Sequence, residues 1–348
     1  MDWSTLNQRW RDTCLGATQA LVVYQNVLYS GSHAHDCGTI GAYSDGARWH
    51  FLAESTTRTD LLPWFPNTND GLGESIGPRS MAVARTSTED FLWAVGEFTT
   101  VNGMAQQSIT RFGQRNNGAA PSIPSPSLSS PRTGQVRVAW RQSLDLDDAE
   151  LTYRVYRDNG TAPVYTVKGT SWHWTRRQMA FTDSQPLGTT HTYRVTASDS
   201  TSTATTPWRS ITVSTGSAYA DRVIADGANQ LWRYDEPSDV FLADSATNNN
   251  GTARGIASYQ VTPAAITGDP SRAITFSGNS STVYGESRFP SPTTFSIETW
   301  FKTSSTTGGK LIGFGNKQSY PSVAYDKMLY MTDNGRLVFG VAPNAYVA

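Results

Sequence analysis

The sequence predicts an all-β protein, and three observations carry that expectation. Apolar and polar residues alternate with a period of two in many short runs, the spacing of a strand with one buried face. Gly, Pro, Asn, Asp and Ser punctuate those runs at short intervals, as turns require. No stretch longer than about twelve residues keeps an apolar period of 3.6 without a breaker, so helix is expected almost nowhere.

The clearest strands lie in the middle of the chain. Val136-Arg-Val-Ala-Trp140, Leu151-Thr-Tyr-Arg-Val-Tyr156 and His191-Thr-Tyr-Arg-Val-Thr-Ala197 each alternate. Trp140, Tyr153, Val155, Tyr193, Val195 and Ala197 fall on one side, which predicts burial between two packed sheets. Asp158-Asn-Gly160 and Pro186-Leu-Gly188 supply the turns between strands. With its Trp on the second strand, Tyr-x-Val-Tyr third strand and Gly-Thr-Thr-x-x-Tyr-Arg-Val approach to the sixth, this stretch resembles a fibronectin type III module. The resemblance spans roughly ninety residues, 122–215, about one such sandwich. It implies a tyrosine whose hydroxyl returns to nearby backbone; Tyr193 is favoured for that role, with His191 beside it on the same face.

Composition bounds the functions. At 348 residues two or three domains are expected. A formal net charge of −1 disfavours nucleic acid or an anionic membrane as the main partner. Apolar residues make up 38%, and no apolar run is long enough to span a bilayer. Few charges with many Ser, Thr, Gly and Asn suit a secreted or cell-surface β protein. The two cysteines, Cys14 and Cys37, either form a bridge worth about 3 kcal/mol or stay as buried thiols. Met1-Asp-Trp-Ser has neither the basic nor the apolar region of a secretion signal, so an exported protein would have lost its true beginning.

In the N-terminal third, Gln19 to Gly31 reads as strand, turn, strand, and the pattern returns loosely at Arg79 to Gly96. The second copy continues through Glu97-Phe-Thr-Thr-Val-Asn-Gly103 to Ser108-Ile-Thr-Arg-Phe112. Residues 1–113 thereby resemble the last blades of a bacterial extracellular β-propeller, with Glu97 and Thr110 departing from that pattern. Two blades cannot close a ring of about four to eight, so further blades are expected upstream. His33-Ala-His35 could share a strand face with Asp36 beside it, but no third ligand is evident, and a hydrogen-bonded turn is the preferred reading.

Residues 114–131 hold four prolines among small polar residues and read as an extended spacer merging into the next module. Within that module, Trp172 and Trp174 are expected on one face of a strand flanked by Arg176 and Arg177. They would either stack on a sugar or partner, or cap the core and pack against a neighbouring domain.

From 218 to 348 the order of motifs resembles a laminin-G-like, concanavalin-A-like jelly roll. Those motifs are Trp232-Arg-Tyr-Asp-Glu236, Asn250-Gly-Thr252, Ala273-Ile-Thr-Phe-Ser-Gly278, Thr294-Phe-Ser-Ile-Glu-Thr-Trp-Phe-Lys302 and a hairpin turning at Asp333-Asn-Gly335. Its later strands are missing, so an incomplete jelly roll is expected. The resemblance makes Ca²⁺ compatible with loop oxygens near Asp235, Glu236, Asp244 and Asp269, without fixing ligands; no cofactor is required. Glu298 is followed at i+2 by Trp300, not by the second carboxylate that a glycosidase needs.

No catalytic residues are assigned, since nucleophile-and-base, phosphate-loop and zinc patterns are lacking. The resemblances imply a non-catalytic modular protein that binds extracellular glycans or proteins through the LamG-like domain, with the type III module as spacer. The alternative is an accessory region of an exported carbohydrate-active hydrolase whose catalytic domain lies outside this chain.

Overall fold

The structure, a computed structural model, describes all residues except 1–3, 44–45, 116–117, 175, 237–240, 264, 279–280, 286–290, 317–321, 323, 343–344 and 348. The described part is all-β apart from one short α-helix and one 3₁₀ turn, with several sheets, none of them closed. Among the described residues no helix is long and apolar enough to cross a membrane.

In chain order the first eight strands are β1 (Thr18–Tyr24), β2 (Val27–Ala34), β3 (Trp49–Ser55), β4 (Pro78–Arg85), β5 (Asp90–Gly96), β6 (Thr100–Val101), β7 (Met104–Ala105) and β8 (Ile109–Gly113). The middle of the chain gives β9 (Ser127–Ser129), β10 (Gln135–Arg141), β11 (Glu150–Arg157), β12 (Tyr165–Thr170), β13 (Gln178–Ser184), β14 (Thr190–Ser198), β15 (Thr203–Thr205) and β16 (Arg209–Thr212). Helix α1 (Ala218–Ala225) follows. Then come β17 (Phe241–Leu242), β18 (Gly251–Arg254), β19 (Ile256–Val261), β20 (Ala273–Phe276), β21 (Thr282–Gly285), β22 (Gly309–Gly315), β23 (Tyr325–Met331), β24 (Leu337–Val341) and β25 (Ala345–Val347).

These elements group into two compact units. The first comprises Met1–Ser125, Arg141–Arg176 and Tyr193–Trp208; the second comprises Pro126–Trp140, Arg177–Thr192 and Arg209–Ala348. The stretch that resembles a type III module thus contributes strands to both.

In the first unit, β1-β2-β3 form one antiparallel sheet and β4-β5-β8 another; β1-β2 and β4-β5 carry the two stretches whose sequence patterns resemble each other. Gln25 and Asn26 both adopt positive φ (46° and 63°), as do Asn102 and Gly103 (49° and 78°). Two successive positive φ values make the tight turns whose twist matches paired strands, which explains why β1 meets β2 and β6 meets β7. A further sheet has the order β12-β11-β14-β15. Tyr153, Val155, Tyr193, Val195 and Ala197 on its strands are at most 1% exposed, as the alternation predicts. On β14, Arg194 lies over the rings of Tyr156 (5.0 Å) and Trp208 (4.6 Å), so the guanidinium covers aromatic surface.

The buried Tyr153 hydroxyl accepts the Ser143 N–H at 2.6 Å. Tyr153→Phe leaves that buried donor without its acceptor and is expected to lower stability by about 1–3 kcal/mol. Unchanged urea unfolding of the variant would show that the bond contributes nothing.

The proline-rich spacer is more packed than its composition suggests. Pro121, Pro124 and Pro126 are buried, and the Ser122 and Leu144 backbones are tied by Ser122 N–H to Leu144 C=O and Leu144 N–H to Ser122 Oγ, both 2.8 Å. A buried proline has no N–H to satisfy, so these positions cost nothing in hydrogen bonding.

In the second unit, β13-β10-β9 form one sheet and Trp140 on β10 is fully buried. Ala139, Ala243 and Ala180 make a small apolar cluster. Sheets β17-β18-β21, β19-β20 and β22-β23-β24-β25 complete the unit, the β23–β24 turn having Gly335 at φ 79°.

Two sequence expectations fail here. Residues 218–225 form α1 where no helix was expected: the Ser217 side chain caps the Ala220 N–H at 2.9 Å, and eight residues are too few to display a helical period. Thr294 to Lys302 belong to none of the sheets, although burial alternates from Thr294 to Trp300, so that alternation defines a face without a ladder.

Candidate functional site

Cys14 and Cys37 are joined in a disulfide at the edge of the first unit's N-terminal core. Around it pack Ala34, Ala42, Tyr43, Leu52 and Leu61, with Trp49 and Trp174 against them. The Tyr43 hydroxyl donates to the Ala34 carbonyl at 3.0 Å, closing the loop between the bridge and β3.

Trp172 and Trp174 do not sit on a strand; residues 171–177 lie outside β12 and β13, with Thr175 outside the described residues. Their rings meet each other at 4.7 Å and 45°, and both are only half exposed. A chain bend, not strand alternation, brings them together. Trp174 is committed to the disulfide-bearing core. Arg176 does not flank an open face either: its Nε donates to the Gln142 carbonyl at 2.8 Å.

Between the two tryptophans, His173 turns into an aromatic nest. Its ring lies 3.8 Å from that of Trp49, 4.9 Å from Phe65, 5.3 Å from Tyr43 and 4.7 Å from Trp174. Neither ring nitrogen has a hydrogen-bond partner. Burial pushes the imidazole pKa down to about 3, so it is neutral at ordinary pH.

Beside this nest opens a groove of about 390 Å³. Trp49, Phe65, Leu144, Leu146 and the His173 ring supply lining surface, and Asn67, Asn69 and Asn102 supply polar groups. The amides are held from behind. Asn102 Oδ1 accepts the Asn67 N–H and Asn69 Oδ1 accepts the Thr99 N–H, each at 2.8 Å. Asn67 Oδ1 accepts the His50 N–H at 2.8 Å, and its Nδ2 donates to the Arg48 carbonyl at 3.0 Å. Asn102 is exposed, and its Nδ2 has no partner among the described residues. Those constraints make a rigid rim with a spare donor.

Under the rim His50 is 2% exposed, with Nδ1 at 3.1 Å from Asn67 Oδ1 and Nε2 at 3.1 Å from Asp70 Oδ1. Arg48 pairs with Asp70 at 2.9 Å. Burial pushes the Asp70 carboxyl up, but hydrogen bonds from Arg48 and His50 prevail and hold it below its usual range. Both imidazole nitrogens being occupied, this dyad braces the 67–70 loop and has no free nitrogen for proton transfer. The other histidine motif is likewise structural: His33 Nε2 accepts the Ala17 N–H at 3.2 Å, and Asp36 Oδ1 accepts the Gly38 N–H at 2.9 Å.

The acids considered for calcium in the second unit each meet protein donors, although Glu236 Oε2 is buried without one. Asp244, fully buried, accepts N–H groups of Leu231 (2.8 Å), Ala246 (2.9 Å), Thr247 (3.1 Å) and Asn249 (3.1 Å) and the Thr247 hydroxyl (2.7 Å). Asp235 pairs with Arg233 at 2.9 Å, and Glu236 accepts the Ala243 N–H at 2.8 Å. Asp269 accepts the Ser271 N–H at 2.9 Å and the Ser217 hydroxyl. Glu298 accepts the Tyr219 hydroxyl at 2.7 Å and the Trp300 indole N–H at 3.1 Å. Among the described residues the carboxylates that converge are Asp145, Asp147 and Asp148 of the first unit.

No model of a known protein family matches this chain, and no curated protein matches it. Sequence reasoning missed Asn67, Asn69, Asn102 and His173 as one site. The Asn-rich Pro66-Asn-Thr-Asn-Asp-Gly71 and the Val-Asn-Gly turn were its available signals.

Proposed function

We propose that this chain is a non-catalytic, modular extracellular protein that binds glycans through the groove of its first unit. Sheets β1-β2-β3 and β4-β5-β8 are read as propeller-like blades, the central stretch as a type III sandwich and the C-terminal region as a LamG-like jelly roll, on the motifs quoted above. The groove is the observation that carries the reading. Its apolar wall suits the C–H face of a sugar ring, while side-chain amides suit hydroxyl groups that both donate and accept. Holding the amides in place beforehand lowers the ordering cost of binding. The disulfide supports an oxidising compartment.

A glycan array with the whole chain tests this, followed by titration of the best sugar against Asn102→Asp, which keeps the acceptor for the Asn67 N–H and removes the Nδ2 donor. We expect about tenfold weaker binding in the variant, the size of one lost hydrogen bond, with unchanged thermal unfolding. No bound sugar, or a sugar that binds the variant equally well, would overturn the reading.

A further inference from the structure

The loop between β10 and β11 runs Ser143-Leu-Asp145-Leu-Asp147-Asp148 within the first unit. Asp145, Asp147 and Asp148 each bring one carboxylate oxygen to within 4.8 Å of the others. Ca²⁺ takes oxygen ligands at about 2.3–2.6 Å, so carboxylates gathered this closely can converge on one such ion with a small adjustment of the loop.

A separate observation points the same way. Asp145 is only 3% exposed, and its Oδ2 is buried with no hydrogen-bond partner. The rest of the residue is held firmly: Oδ1 accepts the N–H groups of Asp147 (3.1 Å) and Asp148 (3.0 Å), and its own N–H donates to Ser171 Oγ at 2.8 Å. Asp145 thus keeps one carboxylate oxygen without a donor in a loop where the Asp147 and Asp148 carboxylates lie close by. Asp244, just as buried, shows the contrast, because five donors surround it. A buried carboxylate facing like charge is strongly disfavoured unless a proton or a cation neutralises it.

We propose that Asp145, Asp147 and Asp148 form a Ca²⁺ site, with backbone carbonyls and water completing the shell. Oxygen-only ligands select a hard cation over zinc or copper. Mg²⁺ demands near-octahedral geometry and sheds its water reluctantly, whereas Ca²⁺ accepts an irregular set of carboxylate oxygens such as one short loop supplies. The same loop carries Leu144 and Leu146 to the groove, so a bound ion would brace that wall.

Calorimetric titration of the EDTA-treated whole chain with CaCl₂, and separately with MgCl₂, is the test, together with thermal unfolding in each ion. We expect one Ca²⁺ per chain, a raised midpoint and weaker response to Mg²⁺. Asp147→Asn and Asp148→Asn should each weaken Ca²⁺ at least about tenfold while keeping the EDTA midpoint near that of the parent. No heat and no shift in millimolar Ca²⁺ would overturn the proposal. So would Ca²⁺ binding that both variants retain, which would put the ion elsewhere. A gain in midpoint for Asp147→Asn without any Ca²⁺ response would mean that Asp145 and Asp147 share a proton instead. Sugar binding by Asn102→Asp is read independently, so this proposal and the glycan reading can fail separately.

Discussion

Between pH 7 and pH 5 the protein is expected to lose about 2 kcal/mol of stability through His173 alone. Burial among Tyr43, Trp49, Phe65 and Trp174 holds its folded pKa near 3, against 6.5 for an unfolded histidine. Between those values the unfolded chain takes up a proton that the folded chain refuses. Stability is intact above the unfolded pKa and falls as pH drops towards 3, by an amount on the order of 5 kcal/mol in total. His173→Phe keeps the ring and removes the proton acceptor. Urea unfolding at both pH values should show the parent losing about 2 kcal/mol more than the variant. Parallel losses would mean that the imidazole is protonated as readily folded as unfolded.

Glu54 on β3 acts with the opposite sign. It is 4% exposed, and its Oε1 has no hydrogen-bond partner. Burial first, and the Asp12 carboxylate second, push its pKa up to about 8. The folded state keeps the proton that the unfolded state releases near 4.5. The stabilisation is thus complete below 4.5 and is lost as pH rises through 8, by an amount on the order of 5 kcal/mol. Glu54→Gln stays neutral throughout, so it should match the parent at pH 4.5 and exceed it by several kcal/mol at pH 8. If both proteins show the same pH slope, the carboxyl has another route to solvent or a cation. Together the two residues give the first unit an optimum between about pH 4.5 and 6.5, narrower than either would impose alone.

Much of the strand pattern was legible because it is written locally. Tyr153 and Val155, or Tyr193, Val195 and Ala197, lie two apart, and a pleated backbone sends such residues to one side whatever lies beyond. The turns at Asn26, Asn102 and Gly335 were legible for a similar reason, since few residues accept positive φ. Helix α1 was not, because one short amphipathic turn resembles a loop until Ser217 is seen capping it. Thr294 to Lys302 misled in the other direction. A period of two says which side chains share a face, but the hydrogen bonds of a ladder come from another segment.

The candidate sites were harder to read. Trp172 and Trp174 are two apart, yet their meeting is made by a bend, and His173 between them is what reaches the groove. Asp145 and Asp244 look alike in sequence, each an aspartate in a polar loop. Asp244 has N–H and hydroxyl donors on both oxygens; Asp145 has them on Oδ1 alone, with two carboxylates close by.

From its residues alone the chain determined that it is built of strands, where many of them turn and which side chains go inside, because backbone sterics and alternation act over a few residues. Tertiary structure decided which aromatic ring covers His173, which amides rim the groove and which acids meet donors or one another. Those outcomes rest on contacts between distant segments, each worth only about 1 kcal/mol, and the path of the loops selects among them.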